Sequence, residues 1–313
     1  MSKNVLSWFL LILLSLIWGS SFILMKRGME VFSSEQVAAL RIGIAFLFLL
    51  PLMVKHYKIN LRKYWKGLLL MGCFGNLFPA FLFTKAETGI TSSLAGMLNA
   101  LTPLFAIMVG VALFRMKTGR NQVTGVLIGF AGALMLVLFD DNAKEGSNNI
   151  WYALMVALAT FCYAISVNSI KKFLSDVNSI TATVWSFTFI GLIAFIAPFV
   201  IDIFLPAQSQ THLWPDVFYR LSNTPGAWTA LMYISILAIL GSAISVILFN
   251  ILIKLSNPVF AASCTYLIPV VAVFWGLFDH ENIVWQQLVA IVVILTGVWL
   301  INKKKQSSPV PTE

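Results

Sequence analysis

Polar side chains set inside apolar stretches are where this sequence has room for chemistry. Trp18, Ser20 and Ser21 share one such stretch, Asn76 stands with Pro79 in a second, and Asn99 with Thr102 in a third. Further along come Tyr163, Ser166 and Asn168, then Ser242, Ser245 and Asn250, then Ser263, Thr265 and Tyr266. Uncharged hydrogen-bonding groups beside aromatic rings suit a small zwitterionic or heteroaromatic solute. The competing use of any one Ser, Thr or Asn is to tie helices together. On this balance Trp18, Ser21, Asn76, Asn99, Tyr163, Ser166, Ser242 and Tyr266 are the expected lining of a substrate cavity.

Charge is scarcer still. Arg41 is the one basic residue well inside an apolar stretch. A charge at the bilayer centre costs roughly 2.5–3.5 kcal/mol on insertion scales, so it needs a reason. Either it faces a cavity and an anionic group of a solute, or it is structural, snorkelling outward or bonding a neighbouring helix. Carboxylates keep to the edges: Glu87, Asp140, Asp176, Asp202, Asp279 and Glu281 all fall at the ends of apolar runs or in loops. That distribution argues against proton coupling through an intramembrane carboxylate. His56, His212 and His280 are expected in loops, none in a metal-spaced motif, and no HExxH or GxSxG occurs. Cys73, Cys162 and Cys264 sit in apolar runs and read as packing residues. No catalytic residue, metal site or cofactor is therefore expected, and a membrane-embedded enzyme is disfavoured. A sensor built on a similar body would more naturally carry a soluble domain.

The elements that must hold these residues follow from composition. Of 313 residues, 59% are hydrophobic and 11% charged, against about 45–50% and 25% in soluble domains. Apolar runs fall at about 5–25, 35–54, 67–86, 91–114, 121–139, 150–170, 178–201, 227–249, 258–278 and 283–301. Each is long enough to cross a bilayer, and none alternates as barrel strands do. The expectation is an all-α polytopic membrane protein with ten transmembrane helices, the first a retained helix rather than a cleaved signal. Lys and Arg number 15 in the loops on the side of the N-terminus and 5 on the other, which places both termini in the cytoplasm. The +9 charge is thus an orientation signal, not a nucleic-acid signal, and Lys303–Lys305 marks the cytoplasmic surface.

The chain also resembles itself. At a shift of 145, Leu13 meets Leu158, Ser21 meets Ser166 and Lys26 meets Lys171. At 166, Ala95 meets Ala261, Pro103 meets Pro269 and Gly110 meets Gly276; at 165, Gln122 meets Gln287 and Gly132 meets Gly297. Five helices per half is odd, so the second half enters the membrane upside down. Inverted repeats are a mark of secondary transporters. The halves are placed at 5–139 and 150–301, with a connection at 140–149 and a cytoplasmic tail at 302–313. Pro79, Pro103 and Pro269 are expected to kink their helices, the last two as a matched pair of hinges. Gly125, Gly129 and Gly132 form a small-residue face, read as internal packing rather than a dimer seam. The segment Gln208–Thr224 is expected to be a long connector, at most a lid. Expected partners are a small-molecule substrate and the lipid bilayer, with the chain a monomer or weak homodimer.

At this point the residues resemble a known family. Leu16-Ile17-Trp18-Gly19-Ser20-Ser21-Phe22, Leu40-Arg41, Leu101-Thr102-Pro103-Leu104 and Gly129-Phe130-Ala131-Gly132-Ala133 are similar to motifs of EamA-domain transporters of the drug/metabolite transporter superfamily. Leu267-Ile268-Pro269-Val270 and Thr296-Gly297-Val298 repeat the pattern in the second half. The departures are Phe114-Arg115-Met116-Lys117, where the family commonly has Gly-Glu, and the longer connection opened by Asp140 and Asp141. The resemblance implies a ten-helix inner-membrane transporter or exporter with a cavity between its halves. Members carry amino acids, nucleobases, metabolites or drugs, so it does not name the substrate, and export of a small metabolite such as an amino acid is the expectation by analogy.

Overall fold

A backbone inside hydrocarbon must satisfy its own hydrogen bonds, which leaves helices as the simplest solution for apolar runs of this length. The computed structural model describes residues 3–113, 119–139, 149–204, 213–256, 261 and 263–302. Phe114–Lys117, Asp140 and Asp141, Pro206, His212 and Lys303–Lys305 lie outside them. Every regular element among the described residues is helical. Eight stretches are long and apolar enough to span a membrane: α1 (Lys3–Met29), α2 (Ser34–His56), α3 (Leu61–Ala86), α4 (Ser92–Ala112), α5 (Arg120–Leu138), α6 (Ile150–Phe173), α7 (Ser179–Ile196) and α8 (Ala227–Leu255). Two shorter apolar helices follow, α9 (Cys264–Phe278) and α10 (Trp285–Leu300).

Local chemistry sets the helix starts. Ser33 and Gln36 form a reciprocal capping box at the head of α2, Asn60 caps α3 and Thr91 caps α4. The interruptions inside helices are as informative. A π-turn at Cys73–Leu77 breaks α3, and a π-turn at Ile239–Ile244 breaks α8, 166 residues later. A 3₁₀ turn at Asn99–Leu101 breaks α4, and another at Ser263–Tyr266 opens α9. Pro79, Pro103 and Pro269 each stand in the first turn of the helix that restarts after its break. There the missing N–H falls where the hydrogen-bond register changes from the break to the α-helix, a position that proline's fixed φ suits.

Two clusters of ionic contacts mark the ends of the bundle. Lys26, Arg27, Asp279 and Glu281 meet at one, here the Lys26 end. At the other, the Lys254 end, Lys254 donates to the Val177 carbonyl and Lys63 pairs with Asp176. α3 runs from Lys63 toward Glu87, while α8 runs from Ile234, packed near Gly28, toward Lys254. The matched helices α3 and α8 therefore run in opposite directions.

The glycine face of α5 packs against α10 within the chain. A Cβ on Gly297 would stand 2.5 Å from the Gly125 carbonyl oxygen and 2.6 Å from the Gly129 nitrogen, so the two backbones touch directly.

The expected connector at Gln208–Thr224 is in part a helix, Leu213–Asn223. Trp214 and Val217 bury themselves against Val37, Leu40 and Ile234, and the Trp214 ring stacks on Phe195 at 5.2 Å. Gln36 donates to Asp216 at 2.7 Å, and Asp216 also takes Arg220. Pro215 and the charges at 216 and 220 disguise the segment as a loop, yet 214, 217 and 221 fall on one helix face. The exposed Phe218, Tyr219 and Trp228 give this end an aromatic belt of the kind found at membrane interfaces. His56, expected in a loop, ends α2 and bonds Thr181 through Nδ1.

Candidate functional site

α1, α2, α3, α4, α6, α8 and α9 surround a cavity of about 110 Å³, well above the roughly 10–15 Å³ one water needs. Trp18, Ser21, Arg41, Asn76, Asn99, Tyr163 and Ser166 all line it. Ser242 and Tyr266 do not. Ser242 stands behind Arg41 and accepts its Nε–H at 2.8 Å. Tyr266 packs half-buried against the main apolar cluster, and its neighbour Thr265 lines the cavity instead. Pro79, Pro103 and Pro269 are buried outside the lining. Sequence reasoning missed the apolar walls: Phe22, Met25, Phe83 and Phe249. Their types match any core residue, so nothing short of the fold marks them.

The π-turns position the polar lining. A π-turn loosens the hydrogen-bond ladder and offers backbone groups to other partners. In α8 the Gly241 carbonyl accepts from Trp18 Nε1 at 3.0 Å and from Ser245 Oγ at 2.7 Å. Ser245 Oγ also lies 3.0 Å from Trp18 Nε1, and the indole meets Phe249 edge-on at 5.2 Å. In α3 the π-turn carries Gly75 and Asn76 to the cavity wall. Both turns need glycine for close approach: a Cβ on Gly75 would lie 2.5 Å from Ser166 Oγ, and one on Gly241 2.9 Å from Ser21 Oγ. Asn168 ties α6 to α4 by donating to the Ala106 carbonyl at 2.9 Å.

Arg41 is 9% exposed. It does not snorkel. Besides Ser242 it reaches Met25 Sδ at 3.7 Å and lies within electrostatic range of the Tyr163 hydroxyl. Among the described residues it forms no ion pair. Guanidinium carries five N–H groups in a planar fork; Ser242, Met25 and the Tyr163 hydroxyl engage some of them, and the group lines the cavity.

The lining is buried toward the Lys26 end, at Phe22, Met25, Arg41 and Asn99. Toward the Lys254 end Asn76, Val167, Ile170, Val246 and Phe249 are half-buried, while Met71 and Asn250 are buried. A cluster of ion pairs stands at the Lys26 end, here called the lock. Lys26 pairs with Asp279 and with Glu281, the latter at 2.8 Å, and Arg27 pairs with Asp279 and Glu30. The left-handed backbone of His280, φ 56°, turns the two acids so that both reach Lys26. Glu281 also caps α4, accepting from the amides of Ser92 at 3.1 Å and Ser93 at 3.0 Å and from both hydroxyls. A carboxylate is favoured there by the helix dipole. Burial works to raise the Glu281 carboxyl, but the bonds from Lys26, Ser93 and Ser92 outweigh it and hold the group at about 2. Trp275 Nε1 donates to Ser20 Oγ at 2.8 Å beside the lock. The sequence shows Asp279 and Glu281 as acids after an apolar run; it does not show what they touch.

A bundle of membrane-length helices around an aqueous-sized, polar-studded cavity is the architecture of a solute carrier. The comparisons with known proteins agree. The model of the EamA-like transporter family matches residues 6–138 and 150–303. The protein named uncharacterized inner membrane transporter YedA of Escherichia coli K12 is 25% identical over 307 residues, covering 95% of this chain and 93% of that one. A probable amino-acid metabolite efflux pump of the same organism is 24% identical over 298 residues, covering 93% of each. A solved crystal structure superposes with a TM-score of 0.61 at 16% identity, covering 96% of this chain and 97% of the other, a likeness of fold. The chain is a multi-pass inner-membrane transporter and belongs to the EamA-like family of the drug/metabolite transporter superfamily.

Proposed function

We propose that this protein is a secondary transporter exporting a small, amino-acid-like metabolite by alternating access. The observation that carries the reading is the cavity itself. One unpaired guanidinium, Arg41, faces a space otherwise lined by neutral polar and aromatic groups, and ion pairs stand at its Lys26 end. A carboxylate would take Arg41, and the amides and hydroxyls of Asn76, Asn99 and Ser166 would take an amine or other polar head. The ten-helix reading has two inverted halves, 5–139 and 150–301, joined at 140–149, with both termini cytoplasmic. The opposed directions of α3 and α8 support it, as do π-turns 166 residues apart. In that orientation the Lys26 end faces outward and the cavity is reached from the cytoplasm, which suits the loading step of export. The relative named an amino-acid metabolite efflux pump supports the substrate class.

The breaks ahead of Pro103 and Pro269 are the proposed hinges. Pro103→Ala should slow flux several-fold while leaving binding intact; unchanged flux would refute the hinge. The test of the whole reading is flux of a panel of radiolabelled amino acids and their metabolites in liposomes holding the purified protein. Saturable flux abolished by Asn99→Leu is the expected result. Binding without flux for every member would instead favour a sensor.

A further inference from the structure

Glu87 follows the last residue of α3, at the edge of the membrane stretch. Its backbone is ordinary: its amide bonds the Phe83 carbonyl at 2.9 Å. Its side chain is not. Both carboxyl oxygens are buried, and neither has a hydrogen-bond partner. The adjacent Lys85 gives no help, since it turns to the surface and pairs with Glu35 at 3.2 Å. The charged groups that face Glu87 come from three directions: Arg41 on α2, Lys26 on α1 and Glu281 in the turn after α9. Each is already engaged. Lys26 is held by Asp279 and Glu281, and Arg41 is tethered to Ser242 beside Tyr163 of α6. The sequence places this acid harmlessly at a helix edge; the structure buries its carboxyl oxygens within electrostatic range of Arg41, Lys26 and Glu281.

An ionised carboxylate without a partner costs several kcal/mol in such a place, so the group takes a proton instead. Burial drives the Glu87 carboxyl well above the usual range, and the charge of Glu281 adds to this, against the opposing pull of Arg41 and Lys26. Opening the lock reverses each influence. Water enters, Glu281 withdraws, and Lys26 loses its two acids and becomes available to Glu87.

We propose that Glu87 is a proton-binding site coupled to the lock, protonated while the Lys26 end is closed and ionised while it is open. On opening, the Glu87 O–H bond breaks, the proton passes to water at the Lys26 end, and the carboxylate pairs with the freed Lys26. Closing takes one proton back. Proton uptake at that end therefore favours closure, and the pH on that side sets how often the lock opens. This inference rests on the transporter reading but is tested without a substrate.

The sign follows from linkage. The closed state binds one proton more than the open state between the ordinary carboxylate range and the raised value. In that window the opening constant grows about tenfold per pH unit. The probe is the solvent proton itself, with the protein in lipid nanodiscs. Infrared titration should show a protonated-carboxyl stretch that persists at neutral pH and is missing in Glu87→Gln. Hydrogen exchange across residues 88–98, corrected for intrinsic rates, should lose protection as pH rises in the wild type. In Glu87→Gln, and in Glu87→Met as a second neutral variant, protection should be independent of pH. A stretch unchanged in Glu87→Gln, or the same pH dependence in both variants as in the wild type, would overturn the proposal. Flux in the liposome panel that ignores the pH on the Lys26 side would overturn the coupling and leave the transporter reading standing. A Glu87 titration in a protein with no flux would do the reverse.

Discussion

The lock at the Lys26 end makes a quantitative prediction. Glu281→Gln keeps the side chain's shape and removes its charge. In the native protein this carboxylate, 3% exposed, accepts from two amides and two hydroxyls and pairs with Lys26. Gln retains one acceptor oxygen; its NH2 faces donors on the other side, so the bonds from the Ser93 amide and hydroxyl are lost along with the ion pair. Removing one member of a buried pair costs about 3–5 kcal/mol. Lys26 is 36% exposed and keeps Asp279, so about 2–4 kcal/mol is the better figure after solvent screening. At about 1.4 kcal/mol per factor of ten, opening becomes about 30- to 1,000-fold more frequent. Hydrogen exchange at Ser92 and Ser93 reads this directly, because their amides are donors to Glu281. Asp176→Asn is the control: the same charge change at an exposed pair with Lys63, with no effect at Ser92. Mild acid does not imitate the variant. Glu281 is held at about 2, below the ordinary value of about 4.3, so its contribution is complete above about 4.3, declines progressively below it and is gone once pH has fallen through about 2. Protection in Glu281→Gln within about threefold of the wild type would refute the lock.

Other expectations are more local. Arg41→Gln removes the one cavity cation; a carboxylate solute should lose about 1.5–3 kcal/mol of charge-assisted hydrogen bonding, a KM about 10- to 150-fold higher in liposome flux. An analogue lacking the carboxylate should be unaffected, and an equal loss for both would refute the role. Gly297→Val drives side-chain carbon into the α5 backbone, which cannot yield as a side chain would. The cost is about 1–3 kcal/mol, seen as a lowered Tm in detergent, while Gly119→Ala, with nothing within 4 Å of its Cβ, should leave Tm unchanged.

What the sequence disclosed and what it hid divide along one physical line. Burying a polar group in hydrocarbon is costly wherever it sits in the fold, so Trp18, Asn76, Asn99, Tyr163 and Ser166 announce themselves by type alone. Length and hydropathy announce the apolar stretches for the same reason. The facing of a residue is a different matter. Ser242 and Tyr266 have the right chemistry, yet the α8 π-turn inserts an extra residue per turn and carries Ser242 behind Arg41. Periodicity computed on a regular helix cannot see that rotation. Partners distant in sequence are hidden too: Glu281 and Ser93 are 188 residues apart, and nothing local to either predicts the other. Glu87 is the sharpest case, because Arg41, Lys26 and Glu281 reach it from three elements far apart in sequence.

The two ends of the cavity are also unequal, and the inequality bears on mechanism. At the Lys254 end Lys63 and Asp176 are 59% and 54% exposed, and pairs of that kind contribute about 0–1 kcal/mol. At the Lys26 end the acids are almost fully buried, and one of them completes a helix cap. Switching such a lock needs a ligand that binds the open form better, since equal binding to both forms moves no population however tight it is. A solute held at Arg41 touches the cavity side only. Glu87 is the group placed between that cation and the lock, and it holds its proton in the closed form. Coupling through it gives a proton the differential affinity that the solute's contacts lack, with the opposite sign: the bound proton holds the gate closed, and its release favours opening.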